Sequence, residues 1–191
     1  MANHKTDTYL IRWYGPFASR KILKKWQDKR KEVFNLYIFR AQRKGRKDRY
    51  YCGKAYEQTV GKRMSNSNHH IHDFEDEKTV LEIWVGTFAN VKANEYDVNV
   101  CENIITSELA YYGVGEDNLE NKINKEPPIN SVYIINEWWK ENGDELKKRF
   151  KGSVPAVVPE VMEYYNETNY LYGTLRLKPL GKLGKSDPKN E

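Results

Sequence analysis

Cysteine is scarce in this chain: there are two in 191 residues, Cys52 and Cys101. Two thiols build no disulfide framework, and paired CxxC spacing, the mark of a zinc finger or ribbon, is missing. Long apolar runs are missing too. None approaches the roughly 20 residues that span a bilayer. Residues 1–7 carry no apolar stretch of signal-peptide type. These absences point away from a membrane or disulfide-rich secreted protein. They lead us to expect a cytoplasmic one whose cysteines are reduced and interior. No internal repeat is visible. What remains is 39% hydrophobic and 31% charged, with a net charge of +5. That supports one domain with a true core, or one domain plus an appendage.

The charge is unevenly placed. Arg20, Lys21, Lys24, Lys25, Lys29, Arg30 and Lys31 line an expected helix over residues 19–33, with Ser19 as N-cap. Residues 40–49 add Arg40, Arg43, Lys44, Arg46, Lys47 and Arg49 around Gly45. Each run alone reads as a solvated face. Because both flank one tyrosine-bearing strand, they point to a polyanionic partner. The acidic residues Asp73, Glu75, Asp76 and Glu77 are expected to lie away from any bound phosphate backbone.

The patterning predicts a strand over 9–14 that Pro16 breaks, and a β-hairpin from strands 35–41 and 49–55. A short helix follows over 59–67. The strand 79–88 is apolar enough to be buried on both faces. The clearest helix takes Asp97 as N-cap and ends at Gly113. Val98, Cys101, Ile105, Leu109 and Tyr112 form its apolar stripe. Glu102 stands at the edge of that stripe, and Glu108 projects near the apolar face, where a carboxylate is costly unless paired or bound to a cation. After Pro127-Pro128 the composition changes. A strand over 131–139 ends in Trp138-Trp139, which read as packing residues. A helix over 144–150, a short helix opened by Pro159, a strand over 170–177 and a disordered tail from Lys178 complete the chain.

Asn35-Leu36-Tyr37 ends the run into one strand, and Tyr51-Cys52-Gly53, followed by Lys54, lies on the next. Arg63, then His69 or His70, the strand 81–88, Glu102 and Asn121 follow in order. From about residue 35 to residue 121 this series resembles a GIY-YIG nuclease domain. The first motif keeps only its tyrosine, and Cys52 replaces the usual aliphatic residue. The histidine stands further from Arg63 than is usual. Glu108 fits the step to Asn121 better than Glu102, whereas Glu102 fits the helix pattern better.

The resemblance implies an α/β (α+β) fold: a small three-stranded, mostly antiparallel sheet flanked by helices, with N- and C-terminal extensions. Residues 1–34 then form a basic extension, 35–126 the nuclease-like domain, 127–178 a C-terminal extension packed on it and 179–191 a tail. The implied activity is metal-dependent hydrolysis of DNA phosphodiesters, as in restriction or mobile-element endonucleases. Such chemistry needs an activated water, charge neutralisation and help for the leaving oxygen. By resemblance Tyr37 is the base and Tyr51 orients the water or phosphate. Arg63 clamps the phosphate, His69 relays a proton, and Glu102 holds Mg²⁺ or Mn²⁺. Asn121 supports the site and, with Arg43, Lys44, Arg46, Lys47 and Lys54, is placed with the DNA-contacting residues. DNA is the expected partner, and a homodimer is left open. Two other readings stand beside this one: a catalytically weak nucleic-acid-binding protein of the same fold, and an interaction module using the C-terminal aromatic region. The His69-His70-His72 cluster also offers a zinc site.

Overall fold

The computed structural model describes residues 5–121, 127–144 and 153–174. Seven strands form one sheet: β1 (Thr6–Phe17), β2 (Leu36–Arg43), β3 (Arg49–Lys54), β4 (Thr79–Phe88), β5 (Ser131–Trp139), β6 (Val161–Tyr165) and β7 (Tyr170–Thr174). Among them lie helices α1 (Arg20–Gln27), α2 (Val60–Met64), α3 (Glu95–Glu108) and α4 (Val154–Val157). The strand order is β3-β2-β4-β1-β5-β6-β7. β1 and β5 run parallel and every other neighbouring pair is antiparallel.

The expected small three-stranded sheet is therefore wrong. β3-β2-β4 is one end of a seven-stranded mixed sheet curled into a half-barrel. The physical reason lies at the outer edge of β4. Left open, that edge would present a row of unpaired backbone groups. β1 covers it, pairing Trp13 with Gly86 and Ile11 with Phe88, and carries β5 on its other side. Pro16 does not end β1. The strand continues to Phe17, with its register shifting between Tyr14 and Phe17, the kind of irregularity where a residue without an N–H is tolerated.

Other boundaries moved for local reasons. α1 has the expected Ser19 cap, whose side chain accepts from the Ile22 amide at 3.3 Å, but stops at Gln27. α3 begins earlier than expected. Asn94 is its N-cap, and Asp97 sits three residues on as the second half of a capping box. α4 opens with Pro155 in its first turn, and Pro159 starts no helix. The expected helix over 144–150, the end of the last strand and the tail fall largely or wholly outside the described residues. Trp138 is buried, stacked on Trp13 with ring centroids 5.6 Å apart, so it packs, as expected. Both cysteines are free and buried. No helix among the described residues is long and apolar enough to cross a membrane.

Strand alternation decides what each face buries. One face carries Leu36, Ile38, Tyr50, Cys52 and Trp84 and is covered by Val98, Cys101 and Ile105 of α3. The other carries Tyr37, Phe39, Ile83 and Val85 and is covered by Leu23 of α1 and Val60 and Met64 of α2. β2, flanked by strands and covered on both faces, is buried from Leu36 to Ala41.

Candidate active site

Tyr37 on β2 faces Gly53 on β3, and Phe39 faces Tyr51. The Tyr37 and Tyr51 rings stack with centroids 5.9 Å apart. That stack depends on Gly53. A Cβ there would overlap the Tyr37 ring and hydroxyl and lie 2.6 Å from Cε1 of Tyr51. The glycine beside the second tyrosine is thus a steric requirement of the tyrosine pair.

α2 and the 3₁₀ turn after it (His70–Phe74) bring up Arg63 and His69. Thr59 caps α2, accepting from the Lys62 amide at 3.1 Å. Arg20 of α1 donates to the Met64 carbonyl at 2.8 Å and pairs with Glu75, binding α1 to this segment. Arg20 is thereby structural. His69 is buried. Its Nδ1 accepts the Ile71 amide at 3.1 Å, and its Nε2 lies 2.6 Å from the Tyr37 hydroxyl. Burial first, then the nearby positive charge of Arg63, lowers the His69 pKa to about 4. The imidazole is neutral at pH 7, with Nδ1 serving as an acceptor. Its one proton is therefore on Nε2 and is donated to Tyr37. The Tyr37 proton is left to point toward Tyr51, whose ring stacks on its own. The result is a directed chain from the Ile71 amide to His69 and from His69 to Tyr37, with Tyr51 next in line.

The relay fixes the electrostatics of the two tyrosines. Tyr37 is fully buried, and burial drives its pKa far above 10. Tyr51 is half-buried. Burial raises its pKa too, and the charge of Glu102 adds to the rise, while the neighbouring Tyr37 hydroxyl and the charge of Arg63 oppose it. The outward hydroxyl of the pair is therefore that of Tyr51, and the environment holds specific groups that favour its anion. The guanidinium of Arg63 makes no ion pair among the described residues, so it remains available to an anion. His70 is exposed, with its ring 5.3 Å from that of Tyr51; His69 is the histidine inside the relay.

Glu102 and Glu108 part company here. Glu102 projects from α3 toward the Lys54 end of β3, where its Oε2 lies 3.5 Å from Nζ of Lys54. Burial raises its pKa, against the opposing charges of Lys54 and Arg63. Glu108 lies elsewhere, with Oε1 beside Gly173 of β7. It is buried, and its Oε2 has no partner among the described residues. Asn121 is paired with β3: its amide donates to the Cys52 carbonyl at 2.5 Å and its oxygen accepts the Cys52 amide at 2.8 Å. It braces the edge strand.

The basic hairpin is less free than its sequence suggests. Arg40 is buried between Asp48 (2.8 Å) and Glu82 (3.0 Å). Arg43 pairs with Asp76, and Arg49 with Glu120 at 2.5 Å. Lys44, Arg46 and Lys47 are exposed and make no ion pair among the described residues. The acidic stretch around residue 75 is paired within the fold. Its Glu75 and Asp76 are the partners of Arg20 and Arg43, close to the relay. Of the other histidines, His72 bonds the Asn66 carbonyl through Nε2, and no group of three or more His, Cys, Asp or Glu converges as a metal site among the described residues.

Two buried groups give stability opposite pH slopes. His69 falls from an ordinary 6.5 to about 4, so its contribution is complete above pH 6.5 and is lost as pH falls through 4. Glu108 rises from an ordinary 4.5 to about 7, purely by burial, so its contribution is complete below pH 4.5 and is lost as pH rises through 7. Each is worth about 3 kcal/mol. Between pH 4.5 and 6.5 the two cancel in the native chain. Glu108→Gln is expected to expose the His69 slope, with urea midpoints falling on acidification. His69→Gln exposes the reverse. Midpoint profiles of both variants that parallel the native chain would rule out both shifts.

Tyr37, Tyr51, Arg63, His69 and Glu102, the five candidate catalytic residues of the sequence, are neighbours at one end of the sheet. The sequence reading missed the Ile71 amide, which sets the tautomer of His69 and carries no sequence signal because it is backbone. It also gave Gly53 no steric role, although a glycine inside a strand is itself a cue to close approach. No family model, no curated protein and no solved structure matches the chain.

Proposed function

We propose that this chain is a metal-dependent nuclease of GIY-YIG type that hydrolyses DNA phosphodiesters, with Tyr51 in place of Tyr37 as the group that meets the attacking water. The observation that carries this reading is the bond from His69 to Tyr37 beside the stacked ring of Tyr51, with Arg63 and Glu102 near enough to bias Tyr51 electrostatically. A Tyr37 hydroxyl turned toward Tyr51 and the positive charge of Arg63 favour a Tyr51 oxyanion, against burial, which raises the Tyr51 pKa. In that form Tyr51 accepts the proton of water as the water attacks phosphorus. Tyr37 remains protonated throughout. Its role is to hold Tyr51, while His69 holds Tyr37. Arg63 balances the charge that grows on the phosphate oxygens, with a fork suited to two of them.

Glu102 is the residue that would hold a divalent cation. Its donor set fits a hard ion: one carboxylate, raised in pKa by burial, whose nearest cation is Lys54 at 3.5 Å. Mg²⁺ commonly accepts one or two protein carboxylates and keeps several waters. When bound, such an ion supplies charge to the phosphate and to the leaving oxygen. Neutralising Glu102 also removes a charge that now opposes ionisation of Tyr51. Lys44, Arg46 and Lys47 at the hairpin tip provide the cations for the DNA backbone. The two free, buried thiols support a reducing compartment, the cytoplasm.

The test is cleavage of supercoiled plasmid with Mg²⁺ and with EDTA. Nicked or linear product with Mg²⁺ alone is the expected result. Salt-dependent DNA binding without cleavage under any metal would overturn hydrolysis and favour a binding protein of this fold. Failure of both binding and cleavage would favour the interaction module.

A further inference from the structure

A cavity of about 450 Å³ continues the tyrosine face of the sheet toward the hairpin tip. Its floor includes Ala41 and Arg49, a cross-strand pair two residues along from Phe39 and Tyr51 and on the same face. Two strand residues cover about 7 Å, the reach of one nucleotide step from Tyr51. The floor is fixed, because Arg49 is held by Glu120 and by the Asp117 carbonyl at 3.0 Å. Ala41, the small residue in the row, is buried and lines the cavity.

The lining combines three kinds of group. Arg46 and Lys47 are exposed cations on one side, with no ion pair among the described residues. The half-buried ring of Phe74, braced by Phe39 at 5.8 Å, gives an aromatic wall. Asp117 is exposed, and its carboxylate makes no bond among the described residues. A simple anion would need the cations but neither the ring nor the carboxylate. An apolar ligand would need the ring alone. A nucleotide uses all three: cations for its phosphate, a ring for stacking, and an acceptor for base N–H groups. The volume lies toward the lower end of the ligand-pocket range of roughly 300–1,000 Å³, which suits one nucleotide and not two.

We propose that this cavity receives a single unstacked nucleotide adjoining the cleaved phosphodiester, with Arg46 and Lys47 on its phosphate and Phe74 and Asp117 against its base. This rests on the nuclease reading for its place along the strand. Asp117 can accept two N–H groups side by side from guanine (N1–H and the exocyclic amine) but only one from thymine (N3–H), so guanine is favoured over thymine. A base in this position has left its stack, so the substrate is single-stranded, mismatched or locally opened there.

The test is an NMR titration of the full chain with dGMP, TMP and 2-deoxyribose 5-phosphate, without metal. Shifts at the amides of Ala41, Arg49 and Phe74 are expected, with dGMP binding about tenfold tighter than TMP or the sugar phosphate. Arg46→Ala weakens both nucleotides alike. Asp117→Ala removes the preference for dGMP. Equal binding of dGMP and the sugar phosphate, or variants that bind as the native chain does, would overturn the proposal. Nucleotide binding of the expected pattern in a chain that cuts no DNA supports the cavity and overturns the nuclease reading. DNA cleavage with no nucleotide at these residues does the reverse.

Discussion

Tyr51→Phe is expected to lower Mg²⁺-dependent cleavage by about 10²–10⁴-fold, the usual share of a positioned acid or base. The ring, its stack on Tyr37 and its contact with Phe39 all survive the change, so the melting temperature should move little. Tyr37→Phe behaves differently. It strips the acceptor from the buried Nε2–H of His69, leaving an unsatisfied donor that costs about 1–3 kcal/mol. It also removes the hydroxyl whose influence favours the Tyr51 anion. The variant should keep reduced activity and shift the alkaline side of its pH–rate profile upward, because Tyr51 then ionises less readily. The decisive comparison is single-turnover cleavage by both variants across pH. Full activity in Tyr51→Phe together with inactive Tyr37→Phe would return the role of base to Tyr37.

Glu102→Gln is expected to reduce cleavage about a thousandfold or more, the several kcal/mol that a divalent ion supplies to a phosphoryl transition state. Glutamine keeps the shape and a polar contact for Lys54, so fold and DNA affinity should persist. Glu108→Gln should cleave normally at pH 7. That side chain lies against β7 beside Gly173, away from the tyrosines, and the change removes a buried carboxyl without a partner for its Oε2 among the described residues. Cleavage rates with Mg²⁺ in excess, paired with binding in EDTA, separate metal loss from fold loss. Normal cleavage by Glu102→Gln with an inactive Glu108→Gln would show that the other carboxylate holds the ion.

Some of this site could be read from the chain alone. Tyr37 and Tyr51 were placed on neighbouring strands because the hairpin signal is local. Arg63 was placed on a short helix by the turn of chain around Thr59. Glu102 was placed at the margin of α3 by the apolar stripe of Val98, Cys101 and Ile105, which binds that helix to the sheet. Each inference uses residues a few positions apart, where backbone geometry fixes which side chains share a face.

Tertiary structure decided the rest. That β1 lies between β4 and β5 depends on pairings between residues far apart in the chain, such as Ile11 with Phe88. No local period encodes such a choice. Six basic residues in the hairpin looked alike in sequence, yet Arg40, Arg43 and Arg49 are spent on Glu82, Asp76 and Glu120. Those acids arrive from β4 or its approach and from the segment after α3. The same holds for the tyrosines. Sequence supplied two hydroxyls and a histidine; only the fold, by placing the Ile71 amide on Nδ1 of His69 and burying Tyr37 completely, set which hydroxyl donates and which faces solvent. Local spacing determines which side chains share an element, because it follows from backbone geometry alone. Proton direction, charge pairing and strand order are set by burial and by contacts distant in the chain, and these exist only once the sheet has closed around them.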